Sequence, residues 1–483
     1  MQNPTPITDL LEHAYDPSDF RKIGHQVINL LADHLEKVLS TADHPVIPYN
    51  PPQNELTYWQ KDLTSGSGVM ETFENILNHS IHVHHPRYMG HQVAVPALAG
   101  SLAGLMSDLL SNGTGVYEMG MASNAIERVV TDLVARKIGY SSDASGLLTS
   151  GGSLANLTAL LAARSAKVPD VWETGHHERL AVMVSEEAHY CIDRSARILG
   201  LGNDGIIKVP VDERFRIRTD LLDERLQQAR NAGFHVFAVV GCASSTATGS
   251  YDDLNALADF SERNDIWFHV DGAHGGGVVF SERYRHLTNG INRADSVVID
   301  FHKMLMTPAL NTALIFKHGK DAYRTFEQRA QYLWDSQQSE EWYNSGKKTF
   351  ECTKLMMAVK VYVILKAYGE EIFAQNIDRL FDLGQAFAAL IKENPKFELA
   401  HGPEANIVNF RYINDKDQGL NELNARIRQS LIESGRFYIV QTMIGAKRYL
   451  RAAIMNPLTT DRDFMALLDE IEKTATIVAN EPI

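Results

Sequence analysis

Seven short, nearly uninterrupted apolar runs alternate with helical stretches between about residues 146 and 317. They are GLLTS (146–150), RLAVMVS (179–185), GIIKVP (205–210), HVFAVVG (235–241), IWFHVDG (266–272), SVVID (296–300) and TALIFK (312–317). Apolar runs without polar alternation indicate strands that are buried on both faces, as in a parallel sheet covered by helices. The pattern therefore predicts an α/β fold with a mostly parallel sheet flanked by helices.

The segments on either side of these runs have different periodicities. Residues 20–39, FRKIGHQVINLLADHLEKVL, repeat apolar positions at helical spacing, and IPYNPPQNEL then ends the helix. The apolar face of this helix needs a surface to cover, and either its own domain or a partner subunit would serve. That face consists of Ile23, Val27, Leu30, Leu31, Leu35 and Val38.

Beyond the sheet region, one long helical pattern covers residues 353–391. The runs FELAH, NIVNFRY, FYIVQTMI and YLRAAIM follow, with a helix at about 421–434 and a last helix beginning near Asp461. We expect a small C-terminal α+β domain here. The predicted organisation is an N-terminal helical arm (1–80), which forms a dimer contact, a large ligand-binding domain (81–365) and the small domain (366–483).

Composition and charge exclude some classes of function. The chain has 483 residues and a formal net charge of −14, which argues against a nucleic-acid partner because phosphate binding needs a basic surface. Its three cysteines are too few for a disulfide framework. The sequence begins without a basic and apolar leader, and no run approaches about 18 apolar residues. We expect a cytoplasmic protein that does not enter a membrane.

The residues that follow the predicted strands carry the candidate chemistry, because open α/β sheets bind ligands at their carboxyl edge. Gly151, Gly152 and Ser153 would expose backbone N–H groups at a helix N-terminus and form a phosphate site, although a simple helix cap by Ser153 fits equally. His189 begins a helix after the second run. It fits a capping residue, or an imidazole stacked on a flat ligand.

The fifth and sixth runs add an acid and an amine. Asp271 ends a buried strand, where its carboxylate needs a cation, hydrogen bonds or a turn to cap. Lys303 ends the next strand unit, in DFHKM. Such a lysine is often a solvated charge, but in a cleft it can act as a nucleophilic amine. A phosphate cradle, an imidazole, an acid and a lysine at successive strand ends are the parts that a pyridoxal phosphate enzyme requires.

The chain resembles the group II pyridoxal-phosphate amino-acid decarboxylases, which include the glutamate, aromatic amino acid, cysteine sulfinate and diaminobutyrate decarboxylases. HVDGAHGG and DFHKM match the Asp-x-Ala and His-Lys motifs of that family. The resemblance implies a fold of the aspartate aminotransferase-like type (fold type I), a homodimer with shared active sites, and a Schiff base between Lys303 and the cofactor. The implied cofactor-binding residues are Gly152, Ser153, His189, Thr246, Asp271, Ala273, His302 and Lys303. Relatives usually carry Asn where this chain has Asp300.

The resemblance also implies which residues bind the substrate. RYLRAAIMNP places Arg451 where relatives bind the substrate α-carboxylate, although a structural ion pair is the alternative. HHPRYMGHQ offers His91 and Gln92 as further substrate contacts. A loop tyrosine returns a proton to Cα in relatives. Tyr343 is the choice here, ahead of Tyr332.

Two alternatives remain at this level. The histidines of IHVHHPRYMGH, which are His82, His84, His85 and His91, could hold a metal, since strand alternation would put His82 and His84 on one face. No cysteine or acid cluster accompanies them, so we expect no metal. Aldehyde synthases, transaminases and other Cα lyases share the fold, and fold cannot choose between them. The resemblance favours a lyase of amino-acid metabolism that converts an L-amino acid to its amine and carbon dioxide, and it leaves the amino acid open.

Overall fold

The computed structural model describes residues 7–40, 44–168, 170–326, 341–414 and 419–479. The strands are β1 (Tyr88–Met89), β2 (Ser145–Thr149), β3 (Arg179–Ser185), β4 (Ile206–Val209), β5 (Phe234–Cys242), β6 (Trp267–Asp271), β7 (Ser296–Asp300), β8 (Thr312–Phe316), β9 (Phe397–Leu399), β10 (Ile407–Tyr412), β11 (Tyr438–Ile444) and β12 (Lys447–Ala453).

Helices precede, separate and follow these strands. They are α1 (Asp9–Ala14), α2 (Pro17–Ser40), α3 (Pro52–Asp62), α4 (Val69–Asn78), α5 (Leu98–Leu110), α6 (Tyr117–Ile138), α7 (Gly152–Lys167), α8 (Val171–Thr174), α9 (Tyr190–Ile198), α10 (Leu222–Asn231), α11 (Leu254–Asn264), α12 (Gly319–Arg324), α13 (Met357–Tyr368), α14 (Glu371–Glu393), α15 (Leu420–Ser434) and α16 (Asp461–Ala479).

The seven predicted apolar runs form one seven-stranded sheet in the order β2-β8-β7-β6-β5-β3-β4. Neighbours from β7 through β6, β5 and β3 to β4 are parallel, and only β8 runs against both of its neighbours. The prediction of a mostly parallel sheet is confirmed. The reversal of β8 leaves the ends of β2 and β7 at the same edge as those of the other strands.

Each face of this sheet carries its own hydrophobic core. On one face, alternate residues such as Val182, Val240 and Val298 pack with the alanine- and leucine-rich side of α7 and with α9. On the other face, residues such as Met183 and Val270 pack with α6, α10, α11 and α13. Burial on both faces explains why these strands lack polar alternation.

A second, five-stranded sheet has the order β1-β11-β12-β10-β9. Its strands pair antiparallel apart from β1, which lies parallel to β11 and brings the segment around Tyr88 into this sheet. Helices α14, α15 and α16 supply apolar side chains to the core that covers it. The helices and strands after residue 366 follow the expected α+β pattern. The division of the chain into three domains remains a prediction.

The long helical pattern at 353–391 is not one helix. Helix α13 ends at Tyr368, because the next residue, Gly369, has a positive φ of +74°. A residue without a Cβ adopts this conformation at no steric cost, so the chain turns here. The apolar periodicity is continuous across the turn, which is why the sequence pattern alone did not reveal it.

Two helices, α2 in the N-terminal arm and α5 after it, leave apolar surface uncovered within one chain. The sequence predicts α2 at residues 20–39, and of its apolar face only Val38 is buried. On α5, Leu98, Leu102, Leu105 and Leu109 lie at helical spacing and are each at least half exposed. Among the described residues, no helix combines the length and apolar character that crossing a bilayer requires.

Candidate active site

A cavity of about 380 Å³ lies at the carboxyl edge of the large sheet. Its walls come from the segments that follow β2, β3, β5, β6 and β7. These contribute Ser150–Leu154, His189, Ser244–Thr246, Asp271, Ala273, His274, Asp300, His302 and Lys303. All eight residues proposed to bind the cofactor therefore line one cavity, although they come from positions 152 to 303 of the chain.

The β2–α7 turn forms an end of the cavity that suits an anion. Gly151 has φ +139°, a conformation that favours glycine, and α7 begins at Gly152 without a side-chain cap. The first N–H groups of a helix lack intrahelical acceptors, so they are available to phosphate oxygens. Ser153 lies inside the first turn, so the alternative in which it caps the helix is wrong.

Close packing also explains Gly152. A Cβ at this position would lie 3.3 Å from Oδ1 of Asp300 and 3.5 Å from Cβ of Ala273. The buried Asp300 carboxylate thus stands beside the anion-binding turn. It accepts a hydrogen bond from the Thr312 hydroxyl at 2.5 Å and pairs with Nζ of Lys303 at 2.9 Å. The anion-binding turn, the acid and the amine of this cavity fit pyridoxal phosphate, whereas the charge of Asp300 beside the turn opposes a phosphate.

The loop that carries Lys303 is fixed by backbone contacts on both sides. Asn311 donates its N–H to Nδ1 of His302 at 3.0 Å, and its carbonyl accepts from the N–H of Phe301 at 2.9 Å. The His302 carbonyl accepts from the N–H of Ala94 at 2.9 Å. These bonds tie the lysine loop to β8 and to the segment that contains His91 and Gln92.

Asp271 lies at the end of β6 with two hydrogen-bond donors. The N–H of Ala273 donates to Oδ1 at 3.1 Å, and Nδ2 of Asn156 donates to Oδ2 at 3.2 Å. Asp271 is buried. Asp271 therefore caps the turn through Oδ1 and also lines the cavity, so the two predicted roles do not exclude each other.

Asn156 begins a chain of hydrogen bonds whose direction can be worked out. A carboxylate only accepts, so Asn156 presents its NH2 group to Asp271 and its Oδ1 to Nε2 of His269 at 2.7 Å. Nε2 must then carry the proton of His269, since burial lowers the pKa of this imidazole to about 4 and keeps it neutral. Nδ1 accepts from Oγ of Ser296 at 2.8 Å, and Ser296 accepts from Nε1 of Trp267 at 2.9 Å.

This chain of donors was missed by the sequence analysis, although a signal for part of it was present. Trp267, His269 and Asp271 are spaced by two residues on one strand, and side chains at that spacing share a face of the sheet. Asn156 follows Gly152 by one helical turn, which places both on the same side of α7. Three polar groups on one face of a buried strand end indicate a connected network.

His189 serves as a cap and as a wall of the cavity at once. Its Nδ1 accepts from the N–H of Cys191 at 3.3 Å at the start of α9, and its ring lines the cavity. Partial burial lowers the pKa of His189. The ring is therefore held neutral and oriented, as stacking on a flat ligand requires.

Arg451 lies behind Thr246 and is buried without a carboxylate partner among the described residues. Its guanidinium donates to the carbonyls of Thr246 at 2.5 Å and Ala247 at 3.2 Å. Burial lowers the pKa of Arg451 to about 10. Within the described residues Arg451 therefore makes no structural ion pair, and a buried cation of this kind is suited to a ligand carboxylate.

Neither Arg451 nor the other two proposed substrate residues, His91 and Gln92, are part of the lining of the cavity. Burial and the charge of Arg451 lower the pKa of His91. Nε2 of Gln92 is buried and makes no hydrogen bond within the part of the chain that the structure describes. An unused amide donor in this place is available to a ligand.

A further histidine, His274, lines the cavity and was not singled out from the sequence. It is fully buried, and its Nε2 lies 2.8 Å from Oδ1 of Asn406 on the small-domain side. Burial, together with the charge of Lys303, lowers the pKa of His274 to about 3. Its position three residues after Asp271 in HVDGAHGG could have marked it.

Tyr343 is not brought into this cavity. Its ring lies 5.7 Å from that of Tyr117 at the start of α6, and its carbonyl accepts from Nδ2 of Asn124 at 2.7 Å. Tyr332, the other candidate for the loop acid, lies outside the described residues. The structure therefore brings the predicted cofactor-binding residues together in one cavity and leaves Tyr343, the predicted proton donor, outside it.

Comparison with known proteins shows relatives in sequence and in overall fold. The family described as "Pyridoxal-dependent decarboxylase conserved domain" matches residues 53–413. An aromatic-L-amino-acid decarboxylase of Bacillus atrophaeus is 28% identical over 473 residues, which covers 95% of this chain and 96% of the relative. A cysteine sulfinic acid decarboxylase of Mus musculus is also 28% identical, with 95% and 96% covered. A crystal structure of mouse CSAD superposes with a TM-score of 0.89 at 26% identity, and covers 95% of this chain and 99% of that one.

Proposed function

Because the chain belongs to the pyridoxal-dependent decarboxylase family, we propose that the cavity at the carboxyl edge of the large sheet is its decarboxylation site. The protein is a pyridoxal-phosphate-dependent carboxy-lyase of the fold type I architecture, and it releases carbon dioxide from an amino acid. The observation that carries the assignment of the site is the meeting of Lys303, Asp271 and the β2–α7 turn around one cavity.

When bound, pyridoxal phosphate supplies an electron-poor ring that accepts the electron pair of the bond broken at Cα. Lys303 provides the amine for covalent attachment, and Asp300 at 2.9 Å orients that amine. Asp271, as a carboxylate, would accept a hydrogen bond from the protonated pyridine nitrogen and keep that proton on the ring, and Asn156 holds the carboxylate in place. His189 would stack on the ring, while Gly152, Ser153, Thr246, Ala273 and His302 complete the wall of the cavity.

We infer that Arg451 binds the α-carboxylate of the substrate. Its guanidinium is already held by two backbone carbonyls, so little side-chain freedom is lost when an anion arrives. A carboxylate would compensate the charge that burial leaves without an acidic partner. We infer that His91, whose pKa the charge of Arg451 lowers, contacts the rest of the substrate. Gln92 is the second candidate, because its buried Nε2 has no hydrogen-bond partner within the described residues.

We propose that the enzyme is a homodimer whose sites are completed across the interface. The half-exposed leucines of α5 and the uncovered face of α2 need a cover, and a second copy supplies one. Tyr343 lies beside Tyr117 and away from its own cavity, which supports a role as proton donor to the partner's site. Light scattering should give twice the chain mass, and Leu105→Glu should shift it toward one chain.

We propose a reducing, cytoplasmic location because the three cysteines are free thiols. Cys191, Cys242 and Cys352 are all unpaired, and Cys191 and Cys242 line the cavity. Disulfides persist in oxidising compartments, so free thiols in a functional cavity favour a reducing one.

The central test pairs Lys303→Ala with Lys320→Ala, an exposed lysine outside the cavity. Each protein is incubated with pyridoxal phosphate, reduced with borohydride and analysed by peptide mass. We expect the cofactor mass on the Lys303 peptide in the unmodified enzyme and in Lys320→Ala, and its absence in Lys303→Ala.

The same proteins are then screened for amine and carbon dioxide with glutamate, aspartate, lysine, ornithine, diaminobutyrate and aromatic amino acids. Carbon dioxide and amine in equal amounts, lost in Lys303→Ala alone, support the proposal. Formation of an aldehyde or a keto acid would instead indicate a synthase or transaminase. Retained turnover in Lys303→Ala would overturn the assignment of the site.

A further inference from the structure

Three histidines from separate segments meet in the N-terminal part of the chain, outside the cavity. His34 lies on α2, His44 follows that helix, and His82 follows α4. One ring nitrogen of each lies within 4.8 Å of the other two. The ring of His44 stacks on that of His82 with centroids 4.7 Å apart, and His34 meets His82 edge-on at 4.8 Å.

This set differs from the one that strand alternation suggested. His84 does not share the cluster, because its Nε2 lies 3.1 Å from the Pro96 carbonyl. The ligand set read from IHVHHPRYMGH alone was therefore wrong, and His82 instead finds partners 48 and 38 positions earlier in the chain. Contacts at such separations depend on tertiary packing and leave no local pattern.

Both ring nitrogens of His82 lie near backbone carbonyls. Nδ1 lies 2.7 Å from the Pro45 carbonyl, so in the neutral ring this nitrogen carries the proton and donates it. Nε2 lies 3.2 Å from the Leu77 carbonyl, and a metal at Nε2 would replace this longer contact. Metal-binding histidines characteristically donate their second N–H to a backbone carbonyl in this way.

A second ring offers an unused nitrogen. Nε2 of His44 is buried and has no hydrogen-bond partner within the described residues. His34 brings the third imidazole from α2, with a ligand atom within 4.8 Å of those of the other two.

We propose that His34, His44 and His82 form a site for a divalent transition metal of the zinc type, with water in the remaining position. Three imidazoles and a water molecule are an established tetrahedral set for zinc. Metal–nitrogen bonds of about 2.1 Å place the ligand atoms about 3.4 Å apart, so the rings close by up to about 1.4 Å on binding.

Such a metal would tie the arm to the body of the protein. Helix α2 buries only Val38, so little else holds it within one chain. His82 is anchored, because its N–H donates to the Val46 carbonyl at 2.9 Å and the N–H of Val46 donates to the Gly435 carbonyl at 2.8 Å. A bond from His34 to this anchored segment links α2 to the small-sheet side of the molecule.

The test uses tag-free protein purified without chelator, since an affinity tag of histidines would bind the metal itself. Zinc content is measured by mass spectrometry after dialysis, and Co²⁺ is titrated while the visible d–d bands are recorded. The variants are His44→Gln and His82→Gln, and the matched control is His25→Gln, an exposed histidine on the same helix.

We expect one zinc per chain in the unmodified protein and in His25→Gln, with the intense bands of tetrahedral Co²⁺. Affinity should fall by about 100-fold or more in His44→Gln, and the thermal midpoint should no longer rise with zinc. His44→Gln keeps the test decisive if His82→Gln fails to fold. Metal binding that is equal in all variants, or none at tenfold excess, would overturn the proposal.

Discussion

The two ends of the cavity each hold a buried carboxylate at the end of neighbouring strands, yet their surroundings are opposite. Asp271 on β6 receives only neutral donors, namely the Ala273 N–H and the Asn156 amide. Asp300 on β7 receives the Lys303 amine and the Thr312 hydroxyl. Asp271 therefore has no cationic partner among the described residues, whereas Asp300 is paired with the Lys303 amine. Identical residue types in equivalent positions thus take different roles through their partners.

The largest expected effect comes from removing the charge at the first end. Asp271→Asn keeps the size of the side chain and loses the anion opposite the pyridine nitrogen. Turnover should fall by about 10²- to 10³-fold, because a preorganised charge no longer stabilises the developing charge. Steady-state kinetics at saturating cofactor measure this, and borohydride trapping on Lys303 should persist as the control. Unchanged turnover would show that the acid has no electrostatic role.

The second test addresses the donor chain behind Asp271. The pKa of His269 is about 4 in the folded protein and about 6.5 in an unfolded chain, so the folded state resists protonation. The stability due to the neutral ring is full above pH 6.5, falls progressively as pH is lowered from 6.5 to 4, and is absent below pH 4. Between pH 7 and pH 5 we expect a loss of about 2 kcal/mol of unfolding free energy from this group.

His269→Gln should reduce that pH dependence, measured by denaturant unfolding at both pH values. His25→Gln, which replaces an exposed histidine, should keep the slope of the unmodified protein. If His269→Gln keeps the pH dependence of the unmodified protein, His269 does not cause the loss of unfolding free energy. The neutral form of His269, which sets the direction of the donor chain, would then have no support.

The smallest expected effect has the opposite sign. Asp300→Asn removes the charge beside the anion-binding turn, so binding of a phosphate there should become tighter by about tenfold. The probe is pyridoxine 5′-phosphate, which has no aldehyde and cannot attach to Lys303. Its dissociation constant is measured by fluorescence titration. Weaker binding in Asp300→Asn would show that the carboxylate assists the phosphate and would remove the contrast between the two ends.

Much of this arrangement could be predicted from the sequence, since it follows from local periodicity. Buried strands are continuous apolar runs, and their ends mark the edge where ligands bind. For that reason the sequence predicts Asp271 and Lys303 as site residues. The direction of the donor chain was not, because it depends on Asn156 reaching across from a helix, and the sequence does not give the rotation of that helix.

Other features escaped prediction for the same physical reason. Gly369 interrupts an apolar pattern that continues in phase on both sides, so only its left-handed backbone reveals the turn. His34 and His82 come together through the packing of α2 against the segment after α4. The position of Tyr343 beside Tyr117 is set by how residues 341–349 cross the start of α6. In each case the deciding contact joins segments that are distant in sequence.

The reversal of β8 has a consequence for how the reactive amine is mounted. Because β8 runs antiparallel to β7, residues 301–311 return directly to the same sheet, whereas a parallel neighbour would require a long crossover. Lys303 therefore sits on a short closed loop clamped at both ends, not on a long tether. Inserting even a few residues between Met304 and Leu310 should move Lys303 out of its position in the cavity, while the strands on either side stay folded. That makes this loop a poor place for natural length variation or for engineered insertions.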